Sequence, residues 1–191
     1  MRFCVLIVCT CLIASSAMGL QAEEETKVSV AVPKGDTITI AVPEKWKHTV
    51  TKSNLKIPPT VSLTEKGTGL NLLLTFIPDP DKKVSKPADV EKFVKLTCQQ
   101  YVGGSVEKEI KLQPIKSDHG FGSYSTFTDA SLVDTKEPAA GEFRYVTSGM
   151  FVIGKQCATL TLLSNDIAGA EYQAALKILT EGIELAESAK P

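Results

Sequence analysis

FRYVTSGMFVIGKQCATLTLLSN, Phe143 to Asn165, consists of two strand-forming runs on either side of Gly154-Lys155. A two-residue loop with glycine first is the signature of a type II′ hairpin turn. It sets the register, so that Ile153 faces Gln156, Phe151 faces Ala158 and Gly149 faces Leu160. Directly opposed residues share a face of the sheet. One side therefore collects Tyr145, Phe151, Ile153, Leu160 and Leu162, and the other Val146, Met150, Val152, Cys157 and Leu163. A strand pair apolar on both sides belongs inside a sheet covered on both faces, which predicts helices above and below it.

Downstream, the spacing predicts a helix from about Ile167 to Glu187, capped by Asn165 or Asp166, with Tyr172, Ala175, Leu176, Leu179 and Ile183 as its apolar stripe. Upstream, Asp134 to Glu142 (DTKEPAAGE) reads as an exposed loop, and Val106 to Gln113 and Gly122 to Val133 read as strands. Before them lies a second helix. Ser85 is its cap, Pro87 suits its first turn, and Val90, Phe93, Val94, Thr97 and Tyr101 recur at helical spacing until Gly103-Gly104. The prolines of Ile77 to Lys83 make that stretch a loop. Val61 to Thr64 and Leu70 to Ile77 form a hairpin around Glu65 to Gly69, and Leu70 to Leu74, apolar at nearly every position, is a central strand. Val28, Val30 and Val32 alternate with small residues before the turn Pro33 to Asp36, so they pair with Thr37 to Val42. Trp46 is expected against a sheet edge, in preference to stacking on a ligand.

The chain has 191 residues, 43% hydrophobic and 23% charged, with formal net charge −1, which fits one domain plus a targeting segment. Arg2, the apolar run Phe3 to Ala14 and the small residues after it have the layout of a secretory signal peptide over 1–22, cleaved after Gly19 or Ala22. Cys9 follows Val8 and Cys11 follows Thr10, neither of them the small residue that a lipoprotein signal requires. Residues 23–36 are then an N-terminal segment with a candidate first strand, 37–187 a single domain and 188–191 a tail. The expected location is the periplasm or the exterior, with no stable membrane insertion after cleavage. Nucleic acid is excluded as a partner, because Lys45, Lys47, Lys52, Lys56, Lys82 and Lys83 are scattered among acids and turns.

Cys4, Cys9 and Cys11 leave with the signal segment, and Cys98 and Cys157 remain. A disulfide between them is open if the inserted helix covers the sheet face that carries Cys157, and closed if it covers the other; two buried free thiols are the alternative. His48 and His119 are the only histidines, so a metal centre built on several histidines is not expected, and no cofactor is. Asp118-His119 could serve a hydrolase, but no nucleophile turn accompanies it, and the reading as a tight turn is preferred. Asp79 and Asp81 lack the further ligands of a calcium loop, and Lys82 and Lys83 would repel a cation.

The order of elements, two helices among about seven or eight mostly antiparallel strands, is that of an α+β domain. The strand Ile38 to Val42 closed by Pro43-Glu44-Lys45-Trp46, the apolar strand before an inserted helix, and the final hairpin followed by a C-terminal helix resemble the PsbP-like superfamily. Its members include the extrinsic P protein of photosystem II, a nuclear-import factor that binds the GTPase Ran, and exported bacterial proteins. The resemblance spans about Thr37 to Leu185. It implies an α-β-α sandwich, largely non-catalytic binding or assembly roles and no shared active site, so no functional residue is carried over. The expected function is an exported binding or assembly domain whose partner is an envelope or secreted protein. A carrier of a small apolar ligand, or a hydrolase using Asp118 and His119, is the alternative. The expected contact surface is made by loops, through Asp79, Asp81, Lys82, Lys83, Lys136, Glu137 and Glu142. Oligomeric state is left open.

Overall fold

The computed structural model describes residues 24–51, 57–67, 69–79 and 81–186. The signal segment with both cleavage positions, Lys52 and Lys56, and the 188–191 tail lie outside the described residues. In chain order the elements are β1 (Glu25–Ala31), β2 (Thr37–Pro43), β3 (Trp46–Thr51), β4 (Thr60–Glu65), β5 (Leu70–Pro78), α1 (Pro87–Val102), β6 (Gln113–Ser117), β7 (Gly120–Thr128), β8 (Tyr145–Ile153), β9 (Gln156–Ser164), α2 (Ala170–Glu181) and β10 (Ile183–Leu185).

The β8–β9 hairpin has the register that its turn dictates, with Ile153 opposite Gln156, Phe151 opposite Ala158 and Gly149 opposite Leu160. Gly154 carries a φ of 59° and Lys155 does not share the positive sign, as a type II′ turn requires. The hairpin sits inside a seven-stranded sheet of order β3-β4-β5-β9-β8-β7-β6. Every pairing in it is antiparallel. Phe151, Ile153, Ala158, Leu160 and Leu162 join one buried cluster, and Met150 and Cys157, flanked by Val146 and Val152, join another on the opposite face.

The two faces are covered differently. Val90, Val94 and Cys98 of α1 pack on Phe127, Met150 and Cys157, so α1 lies over β7 and β8. It leaves β4, β5 and most of β9 open on that side, where hydroxyls pair beside the half-buried Leu73 and Leu163: Thr60 and Thr75 share a hydrogen bond of 2.9 Å, and Ser62 donates to Asn71 at 3.1 Å. The other face is covered by α2 together with a second sheet, β1-β2-β10. The α-β-α arrangement therefore holds, with the strands divided between two sheets where the sequence pattern suggested one. The division occurs at Pro43-Glu44-Lys45-Trp46, which is a corner and not a hairpin: β2 ends at Pro43 in the small sheet and β3 starts at Trp46 on the edge of the large one. Trp46, only 4% exposed, fills that corner and has no free face on which to stack a ligand.

Four local expectations are corrected. The terminal helix stops at Glu181, and Ile183, expected in its stripe, is instead buried by pairing with Ile40 in the small sheet. Gly182 permits the switch: a Cβ there would lie 3.0 Å from Ile178 Cα and 3.1 Å from Ala41 O. Neither Asn165 nor Asp166 caps α2; Asp166 accepts the Ala168 N–H at 2.9 Å inside a turn, and the cap is Gly169. Lys86, not Ser85, stands at the N-terminus of α1. Finally, Val106 to Leu112 is not a strand, because Glu107 turns inward to accept the N–H and hydroxyl of Thr128 at 2.9 and 2.7 Å, and β7 ends there, short of Val133.

Candidate functional site

Strand order gathers the connections at two ends of the large sheet. At one end the Asp79 N–H donates to Lys155 O at 2.7 Å, and the Lys155 N–H donates to Asp36 Oδ2 at 2.9 Å. Pairing of Gly120 with Ile153 brings the Asp118-His119 turn alongside them. At the other end the Arg144 N–H donates to Asn165 Oδ1 at 2.7 Å, and Asn165 Nδ2 donates to Glu142 O at 3.3 Å. Nine-residue strands separate these ends by about 30 Å. Asp79, Asp81, Lys82 and Lys83 therefore form one surface and Lys136, Glu137 and Glu142 another.

The first surface is anchored through Asp79. Asp79 accepts the Lys83 N–H and the Val84 N–H, both at 2.9 Å, as an Asx-type cap closes a loop. Lys82 takes up the left-handed conformation (φ 50°) that this closure demands. The Val84 N–H first, then that of Lys83 and the Lys83 charge, hold the Asp79 carboxyl below its usual range against the opposing effect of burial. Asp81 and Lys83 point outward as a 3.9 Å pair, 75% and 79% exposed, too solvated to contribute much.

A carboxyl that titrates lower when folded stabilises fully above its unfolded value of about pH 4, and that stabilisation is lost as pH falls through the folded value. Asp79→Asn should accordingly cost about 1 kcal/mol at neutral pH and flatten the acid limb of stability against pH. It should also act on Cys157, whose thiol, 3.9 Å from Asp79 Oδ2, is pushed up to about 11 by burial and by that carboxylate. Removing the charge should lower the thiol's titration midpoint, read from thiolate ultraviolet absorbance. An unchanged midpoint in Asp79→Asn would separate the two groups.

The second surface depends on a residue that the sequence reading passed over. Arg144 donates from Nε to Leu132 O at 3.3 Å and from Nη2 to Thr135 O and Lys136 O, which ties the 129–142 loop to the start of β8. Arg2 and Arg144 are the only arginines in a chain rich in lysine, and a fork placed at a loop–strand junction is the signal that would have singled it out. Asp129 closes the start of the loop by accepting the Ser131 hydroxyl at 2.6 Å and its N–H at 2.8 Å, and both bonds lower its carboxyl. Glu142 Oε2 accepts the Ala139 N–H at 3.1 Å, while Lys136 and Glu137 are exposed.

Asp118 and His119 are exposed at the β6–β7 turn. They line a cavity of about 380 Å³ with Lys116, Ser117, Thr180 and Glu181. The Ser117 hydroxyl accepts the His119 main-chain N–H at 3.3 Å, so it closes its own turn. His48 is exposed on β3.

Cys98 and Cys157 are both buried and free. The inserted helix does cover the face that carries Cys157, as a bridge required, yet the sulfurs sit at different levels of it. Cys98 donates to Ser148 O at 3.6 Å, whereas Cys157 is paired with Val152, four residues farther along β8. That offset is about 13 Å along the strand, beyond the reach of a disulfide. Burial raises both thiols, which keeps them protonated and unreactive at neutral pH.

Among the described residues no helix is long and apolar enough to cross a membrane. No protein-family model and no curated protein matches the sequence. Among solved structures the chain is similar to the solution structure of cyanobacterial PsbP (CyanoP) from Synechocystis sp. PCC 6803, at 13% identity and a TM-score of 0.50. The match covers 90% of this chain and 98% of that one. The fold is thus PsbP-like, as the Pro43-to-Trp46 corner and the order of elements implied.

Proposed function

We propose that this PsbP-like chain is an exported, non-catalytic domain that binds a partner protein in the envelope or outside the cell, and that the 79–84 end is its contact surface. The observation that carries this reading is the Asp79 cap. It anchors the main chain at Lys83 and Val84 while Asp81 and Lys83 point outward, so a partner meeting those charges has less backbone to order. The fold supports the same reading, since the superfamily resembled is largely one of binding and assembly modules. The cysteines, buried and raised in pKa, are unsuited to act as nucleophiles.

The test combines Asp81→Lys, Lys82→Glu and Lys83→Glu in one variant and compares its capture of envelope proteins with that of the unaltered mature chain. Lys136→Glu with Glu137→Lys, at the far end of the sheet, is the control. Capture should drop at least tenfold in the first variant and persist in the second, with equal melting temperatures. Undiminished capture by the first would remove the surface from consideration. Hydrolysis of an ester, peptide or phosphate panel that disappears in His119→Ala would overturn the non-catalytic reading.

A further inference from the structure

The α1 helix stops at Val102 before it has covered the sheet beneath it, and Gly103-Gly104 turn the chain away. Just past its end, Phe127, Val146 and Leu163 stand side by side across β7, β8 and β9 on the face that α1 covers elsewhere. Tyr101 forms one wall, its ring tilted 34° against Phe127 at a centroid distance of 5.4 Å. Phe143 and Arg144 also line the groove, which holds about 370 Å³, a volume of the order that small-molecule sites enclose. Apart from Phe127 these apolar side chains are only half-buried, so the groove is apolar surface that the chain's own elements leave partly uncovered.

The charge of Arg144 gives the groove a preference. Arg144 uses Nε and Nη2 on main-chain carbonyls, and Nη1 has no partner among the described residues. Carbonyl oxygens hold the guanidinium in place without neutralising it. Asp129 also lines the groove and stays ionised, but one of its oxygens is engaged by both the N–H and the hydroxyl of Ser131 in its own turn, so attraction of an anion rests on the Arg144 guanidinium. A partly desolvated guanidinium with an open nitrogen at the end of an apolar slot complements one planar anion.

We propose that this groove binds a small molecule with an apolar or aromatic body and a single carboxylate. The body lies on Phe127, Val146 and Leu163, and the carboxylate meets Arg144 Nη1. The site is at the opposite end of the sheet from the 79–84 surface, so either can fail without the other.

The test uses 4-phenylbutyrate and its neutral isostere 4-phenylbutyramide with the isotope-labelled mature chain, read by amide chemical shifts and by calorimetry. The carboxylate should shift the amides of Phe127, Arg144, Val146 and Leu163 and bind at least tenfold more tightly than the amide. Leu163→Trp, which fills the slot without touching the Arg144 bonds, should abolish both. Arg144→Gln should bring the carboxylate down to the level of the amide. Equal affinity for the two probes, shifts confined to other parts of the sheet, undiminished binding in Leu163→Trp, or no binding of either probe at millimolar concentration would each overturn the proposal.

Discussion

Phe76→Ala is expected to lower the unfolding free energy by about 3–5 kcal/mol. Phe76 is fully buried on β5, flanked by β4 and β9, with its ring edge-on to Phe151 at 6.4 Å and 87°. It faces the layer made by the small sheet and α2, which cannot close onto a missing ring without pulling β1 and β2 off their own register. For a chain of this size the loss corresponds to roughly 6–20 °C in melting temperature. Leu73→Ala is the internal control, because Leu73 lies on the opposite face of the same strand, where no helix covers it and it is only half-buried. It should cost about 1 kcal/mol or less. Denaturant titration of both variants checks the pair, and a small effect at Phe76 or equal effects at the two sites would show that the layer opposite α1 does not press on β5.

That contrast is also where the sequence reading reached its limit. Alternation of side chains across a strand reports which residues share a face, and it placed every residue of the β8–β9 hairpin on the correct side. It does not report how far a helix extends over that face. Leu73 and Leu163 look as apolar as Leu72 and Leu162, yet they meet solvent because α1 stops above β8. The same limit explains β10: Ile183 continues the helical spacing of α2, and only the small sheet, reached through a glycine, shows that it is buried by strand pairing. Val106 to Gln113 reads as a strand, while the bond that decides the path of its first part joins Glu107 to Thr128 across a turn. The candidate loops were legible as polar interruptions, but not their placement at opposite ends of the sheet, which follows from strand order. Arg144 is marked only by its rarity and its place at a loop–strand junction, because a cation that binds main-chain carbonyls has no partner side chain in the sequence.

Gly149→Ala is the second large effect, and its sign is the informative part. In most strands the replacement of glycine by alanine gains a few tenths to about 1 kcal/mol, because the unfolded chain loses conformational freedom. Gly149 lies on β8 between Tyr124 of β7 and Leu160 of β9. A Cβ at that position would stand 2.5 Å from Ser123 O, 2.6 Å from Tyr124 Cβ and 2.8 Å from Tyr124 Cα. Two of those atoms are backbone and the third is attached to it, so no side-chain rotation relieves the contact, and the β7–β8 ladder must part or the strands must shear. Shearing would break the Thr126–Thr147 contact at 2.8 Å, which crosses from β7 to β8. The expected outcome is a loss of about 3 kcal/mol, the upper part of the range for overpacked cores. Gly149→Val should lose little beyond that, because the first added carbon already forces the strands apart. Hydrogen exchange of the β7 and β8 amides should accelerate in both variants while β4 and β5 remain protected. An alanine variant as stable as the parent, or more stable, would mean that the strands have room at Gly149 and that the close approach of Tyr124 does not govern the sequence there.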